Sequence, residues 1–203
     1  MAFPLFDLPD EAVELVLGSV RDLEDKRALR LVCKRSRASV DSRVVLVSTQ
    51  IEAGGDQPLD ALVRAPWNLR HLDLSGRDLG DAGAATLAAA RWPALRELAL
   101  MEANLGDAGA ASLAAAHWPA LKALVLSDNS LGDAGVASLA AAHWPALQLL
   151  CLSHNSFGDA GAASLAAASW PAVTMMMLGG TNMSSAGTAS LQARWPAAGT
   201  HVF

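Results

Sequence analysis

Tyrosine is absent from the 203 residues, phenylalanine occurs four times, and the other aromatic residues are six Trp. A core built mainly from large rings is therefore excluded, although 52% of the residues are apolar. Because 42 of them are Ala, the folded elements must meet across faces of small side chains. Cysteine is scarce as well: Cys33 and Cys151 are the two present. Two thiols fit a reducing compartment and bury as small apolar groups, with a disulfide between them as the alternative. An excess of base is missing too, since 15 Lys and Arg face 20 Asp and Glu for a net charge of -5. Residues 1–50 hold eight of each sign, so the acidic surplus falls entirely after them. No basic face suited to nucleic acid is expected.

Long hydrophobic runs are also lacking. A mean hydropathy of +0.28 and the uncharged 34-residue stretch from Ala160 to Ala193 raise the question of a membrane span. Pro171, Gly179, Gly180 and Asn182 divide that stretch, and no 18 consecutive apolar residues occur, so no span is expected. The first 20 residues carry four acids and no base, unlike a secretory signal or a transit peptide. This points to the cytoplasm, the nucleus or both.

What the chain has in place of these features is a period. Trp stands at 67, 92, 118, 144, 170 and 195, with spacings of 25, 26, 26, 26 and 25. Blocks beginning at Leu69, Leu95, Leu121, Leu147 and Val173 align on one template, roughly LxxLxLSxNxLGDAGAASLAAAxWPA. The fourth position holds Leu72, Leu98, Leu124, Leu150 and Met176; the sixth holds Leu74, Leu100, Leu126, Leu152 and Leu178. A two-residue step puts both on one face of a short strand. Asp81, Asp107, Asp133 and Asp159 precede Ala-rich segments and are expected to cap the helices that begin there. Gly83, Gly109, Gly135, Gly161 and Gly187 fall in the first helical turn, where Gly costs roughly 1 kcal/mol against Ala. A cost met five times predicts close approach of neighbouring elements. Pro93, Pro119, Pro145 and Pro171 then end each helix at the Trp before them.

These blocks resemble leucine-rich repeats of the helix-bearing, ribonuclease-inhibitor-like or GALA type. The resemblance implies an α/β right-handed solenoid, with a parallel sheet on the concave face and short helices on the convex face, over residues 69–196. The Asn that follows the strand in such repeats is present as Asn129 and Asn155, while Arg77, Ala103 and Thr181 take its place elsewhere. Residues 46–68 read as a linker and irregular first repeat, and 197–203 as a tail covering the last strand, a place that another chain could equally take.

Before residue 46 the pattern differs. Val13, Val16, Leu17 and Val20 fall at i, i+3, i+4 and i+7, which predicts a helix opened by Pro9. Leu29, Val32 and Cys33 mark a second helix whose other faces carry Lys26, Arg27, Arg30, Lys34, Arg35 and Arg37. Leu8-Pro9, Val16-Leu17, Asp25 and Leu29 to Arg35 are together similar to the F-box motif, so 4–45 is expected to be a small all-helical module. The resemblance implies docking on the adaptor of a cullin-based ubiquitin ligase through Leu8, Pro9, Val16, Leu17, Leu31 and Val32. Ser36 departs from it, standing where a large residue is usual.

Candidates for chemistry are weak. His117 and His143 share a repeat column, but a metal needs three or four converging ligands, so no metal or other cofactor is expected. Ser153 and His154 lack a positioned acid, and GDAG lacks the spacing and the Lys of a phosphate loop. No enzyme is expected. The outward strand positions are the better functional candidates: Arg70, His71 and Asp73; Arg96, Glu97 and Met101; Lys122 and Val125; Leu149 and Cys151; Met175 and Met177. They grade from charged to apolar and suit a target protein or peptide with both kinds of anchor. Five strands of about five residues give a face of roughly 400 Å², enough for a peptide or part of a partner's surface. The expected function is substrate recognition in a ubiquitin ligase. The alternative is a free-standing protein-binding scaffold whose N-terminal residues cap the solenoid.

Overall fold

The computed structural model describes residues 69–195 throughout, together with Leu59, Val63 and three strands outside that range. Eight strands form one parallel sheet in chain order: β1 Val13–Leu17, β2 Val45–Thr49, β3 His71–Asp73, β4 Glu97–Ala99, β5 Ala123–Val125, β6 Leu149–Cys151, β7 Met175–Met177 and β8 Gly199–His201. Five helices alternate with the later strands: α1 Gly80–Ala88, α2 Asp107–Ala114, α3 Asp133–Ala140, α4 Asp159–Ala166 and α5 Ser185–Arg194. The strands are short because the L-x-x-L-x-L step leaves only three residues before a turn. That turn is made by one residue in the left-handed region: Gly76, Glu102, Asp128, His154 and Gly180, at φ 72°, 51°, 56°, 56° and 69°.

The repeat columns become layers. Leu72, Leu98, Leu124, Leu150 and Met176 lie in lateral register and are buried, as are all five sixth-position Leu and the helical Leu87, Leu113, Leu139, Leu165 and Leu191. Each fully buried Leu is worth about 1.5–3 kcal/mol against exposure. Below them Trp92, Trp118, Trp144 and Trp170 are at most 1% exposed. They stack in pairs, with ring centroids 6.4 Å apart for Trp92 and Trp118 and 6.2 Å for Trp144 and Trp170. Small residues complete the helix faces at Ala84, Ala110, Val136 and Ala162.

The Asp column does something other than the expected local capping. Asp81 Oδ1 accepts from the amides of Gly106 and Gly109, each at 2.8 Å, in the following repeat. Asp107 accepts from Gly132 at 2.7 Å, and Asp133 from Gly158 and Gly161 at 2.8 Å. Asp159 accepts from the Ser184 amide at 2.8 Å and its hydroxyl at 2.6 Å. Each carboxylate therefore serves the orphan amides of the next helix, where the dipole favours negative charge. This corrects the reading of these residues as caps of their own helices; Gly106, Gly132, Gly158 and Ser184 hold the N-cap positions of α2–α5. It also explains the Gly column from Gly109 onward, while a Cβ on Gly83 would instead lie 2.8 Å from the Leu79 Cβ. A Cβ on Gly109 would lie 2.5 Å from Asp81 Oδ1, and one on Gly135 2.5 Å from Asp107 Oδ1, so a side chain there evicts the carboxylate.

The Ser184 hydroxyl and amide hold the Asp159 carboxyl below its ordinary value. A depressed folded-state pKa gives stability that is complete above the unfolded value and is lost as pH falls through the folded one. The unfolding midpoint is therefore expected to drop as pH is lowered through the ordinary carboxylate range and below it. Ser184→Ala, followed by denaturant titration across that range, should show a shallower drop than the wild-type chain. An unchanged slope refutes the assignment.

Asn129 and Asn155 work in the opposite direction. Asn129 Oδ1 accepts from the Ala103 and Leu105 amides of the preceding repeat at 3.1 and 3.0 Å. Its Nδ2 donates to the Leu100, Leu126 and Ser127 carbonyls. Asn155 accepts from the Leu131 amide at 3.0 Å and donates to the Leu126 and Leu152 carbonyls. Where Ala103 takes the place of Asn, its carbonyl accepts from the Leu79 and Gly80 amides; where Thr181 does, its hydroxyl donates to the Leu178 carbonyl at 3.0 Å.

Toward the N-terminus the structure departs from expectation. Val13–Leu17 is a strand paired with Val45–Thr49, and that strand pairs with β3, so the helix predicted over these residues is not what forms. The run VELVL fits either period, and pairing with a neighbouring strand decides it. Val16 and Leu17 are thus sheet residues, while Leu8, Pro9, Leu31 and Val32 lie outside the described residues, as does the second predicted helix. Leu59, buried at 8%, and Val63 are helical and join the repeat core. At the other end Gly199–His201 pairs with β7, so the tail takes the place that another chain could equally have taken.

Candidate protein-binding face

Alternation along each strand sends the fourth and sixth positions into the core and leaves the third and fifth on the open face of the sheet. Across β3–β7 the third position presents His71, Glu97, Ala123, Leu149 and Met175; the fifth presents Asp73, Ala99, Val125, Cys151 and Met177. Asp73 and Glu97 are exposed, and His71, Val125, Leu149 and Met175 are half-buried. Met101 and Met177, each 37% exposed, are the exposed large apolar side chains among the described residues. Arg70, Arg96 and Lys122 stand just before their strands, the last two exposed. The Arg96 amide donates to the Arg70 carbonyl and the Lys122 amide to the Arg96 carbonyl, each at 2.7 Å, so the three follow one another repeat by repeat.

At the β3–β5 end the face sinks into an open hollow of about 210 Å³, lined by His71, Asp73, Glu97, Ala99, Ala123 and Val125 over Leu72 and Leu98. The hollow exists because the second and third repeats carry Ala at open-face positions where neighbours carry larger groups. His71 Nδ1 lies 2.8 Å from Glu97 Oε2, which fixes one wall. Asp73 Oδ1 accepts from the Ser75 amide at 3.0 Å, holding that carboxylate at the end of its strand.

Twelve residues were expected on this face, and the structure brings eleven of them to it or to its edge. Cys151 differs: it is 7% exposed, with its Sγ 2.9 Å from Ser127 Oγ and 3.8 Å from Ser153 Oγ, so little of it reaches the face. The expected binding residues left out two groups. Ala99 and Ala123 matter because they are small, which no residue-type rule for binding flags. Asp78, Glu102 and Asp128, all exposed, lie in the turns beyond the strands; an acid in three successive turns was the available signal. His117 and His143 are exposed, and no group of three or more His, Cys, Asp or Glu suited to a metal occurs among the described residues. Nor is any helix among them long and apolar enough to cross a membrane.

Four segments, 68–88, 93–114, 119–140 and 147–166, match the family described as Leucine Rich repeat. Residues 68–166 are thus similar to leucine-rich repeats, and such repeats commonly bind proteins. No curated protein matches the chain.

Proposed function

We propose that the chain is a non-catalytic scaffold that binds a protein partner on the open face of β3–β7. The hollow over Ala99 and Ala123 carries the reading, because it is a concave, largely apolar site with charged groups at its edge, as recognition sites are. Ala123→Arg fills the hollow from a half-buried position. It is expected to lower partner capture at least tenfold while the unfolding midpoint stays near that of the wild-type chain. Capture undiminished by Ala123→Arg refutes the site.

A second reading is favoured by the sequence at 8–35: adaptor docking in a cullin-based ubiquitin ligase, with the repeats as substrate receptor. The strand at Val13–Leu17, in register with β2, weighs instead for the N-terminal part as an extension that covers the solenoid edge. Deleting residues 1–45 separates the two. A fall in solubility and midpoint is expected if this part covers the sheet edge. An unchanged midpoint with loss of adaptor co-purification supports the ligase.

A further inference from the structure

The open face is edged by charge of opposite sign on its two sides. Arg70, Arg96 and Lys122 form a basic row where β3, β4 and β5 begin. The acidic row lies in the turns that follow the same strands: Glu102 and Asp128 share one repeat position, each in the left-handed region, and Asp78 stands two positions further on in the first turn, where Arg77 is beside Asp73. Between the rows runs the floor from the Ala99 and Ala123 hollow to Met177. The β6–β7 end of this floor carries no Lys, Arg, Asp or Glu on its strands.

We propose that the occupant of this face is an amphipathic α-helix of a partner protein, lying across the strands, with acidic residues on the flank toward Arg70, Arg96 and Lys122 and basic residues on the other. This rests on the open face being the binding surface. Three dimensions point to a helix. The rows are six residues apart in the chain for Arg96–Glu102 and Lys122–Asp128 and eight for Arg70–Asp78, at most about 20–26 Å, which admits a helix of about 10–12 Å diameter with its flanking side chains. Successive strands are ~4.8 Å apart, close to the 5.4 Å helical pitch, so side chains at i, i+4 and i+7 meet successive repeats. One face of an extended chain repeats only every ~6.6 Å and loses step with the rows within three strands. Opposite rims also select a partner carrying both signs, because a helix with like charge on both flanks meets repulsion along one of them.

The test uses the purified full chain and two displayed libraries of 16-residue segments, one held helical on a rigid hairpin scaffold and one linear. The proposal expects clones from the helical library with apolar residues at i, i+3 and i+4, acids on one flank and bases on the other. It also expects at least tenfold weaker binding to the variant carrying Arg96→Glu and Lys122→Glu, and recovery when the acidic flank of the clone is changed to Lys. Both substitutions are at exposed positions, and circular dichroism checks that the variant folds. Clones that come only from the linear library, or whose affinity is indifferent to the rim variant, overturn the helical occupant. If those clones are still lost on Ala123→Arg, the binding face itself stands. Clones indifferent to Ala123→Arg overturn both, and failure of both libraries to yield a binder overturns the proposal.

Discussion

Asn129→Ala is expected to lower the stability of the chain by ~3–4 kcal/mol and its thermal midpoint by about 10 °C. The side chain is only 8% exposed, yet it satisfies two buried amides of the preceding repeat and three carbonyls. Truncation removes every one of these partners and leaves no room to admit water freely. Each stranded buried group costs about 1–3 kcal/mol. Asn182→Ala is the matched control: its amide donates to the Ser156 carbonyl at 3.0 Å from an exposed position, and its loss should cost less than about 1 kcal/mol. Thermal unfolding of the two variants side by side decides the matter. Equal shifts would mean that Asn129 holds no more than a surface turn.

The second large effect runs against helix propensity. Gly109→Ala in an ordinary helix gains about 1 kcal/mol. Here a loss of ~2 kcal/mol is expected, because the new Cβ would lie 2.5 Å from Asp81 Oδ1 and 3.3 Å from Asp81 Cα. The carboxylate has to leave, and its bonds to the Gly106 and Gly109 amides go with it; bonds of this charged kind are worth about 1.5–3 kcal/mol each. In an Asp81→Ala background the carboxylate is gone and the 3.3 Å approach to the Cα of residue 81 remains, so the same substitution should be close to neutral. The two changes should therefore couple by at least ~1.5 kcal/mol in a double-mutant cycle measured by denaturant unfolding. An equal cost of Gly109→Ala in both backgrounds would falsify the steric account.

The repeat region was legible because each layer of the core is a column of the sequence: L-x-x-L-x-L fixes strand and face, and a fixed Trp spacing fixes the length of a coil. The roles within a coil were harder to read. Asp81 satisfies the usual preference for an acid at a helix start, and only the fold places its oxygen against amides 25 and 28 residues ahead. The Gly column was rightly read as a sign of close approach, although the approaching group, a carboxylate from the repeat before, has no local signature. VELVL offered apolar residues at both periods, so helix and strand were equally consistent with it, and the neighbour at Val45–Thr49 selects the strand. On the open face, side chains that project were found by alternation, whereas the hollow is made by what Ala99 and Ala123 lack. Cys151 has the right parity for the face and is nonetheless buried, its sulfur against the Ser127 and Ser153 hydroxyls.

The two polar columns bond in opposite directions along the chain, Asp forward to the next coil and Asn back to the one before. A whole 26-residue unit added or removed in the interior would bring like ends together and re-form both bonds at the new seam. A partial deletion would leave a carboxylate or a buried amide without its counterpart. The array can therefore change length only in whole units, and the face it offers lengthens in steps of one strand, ~4.8 Å. Any partner that follows such a change must do so by about one turn of its own helix at a time.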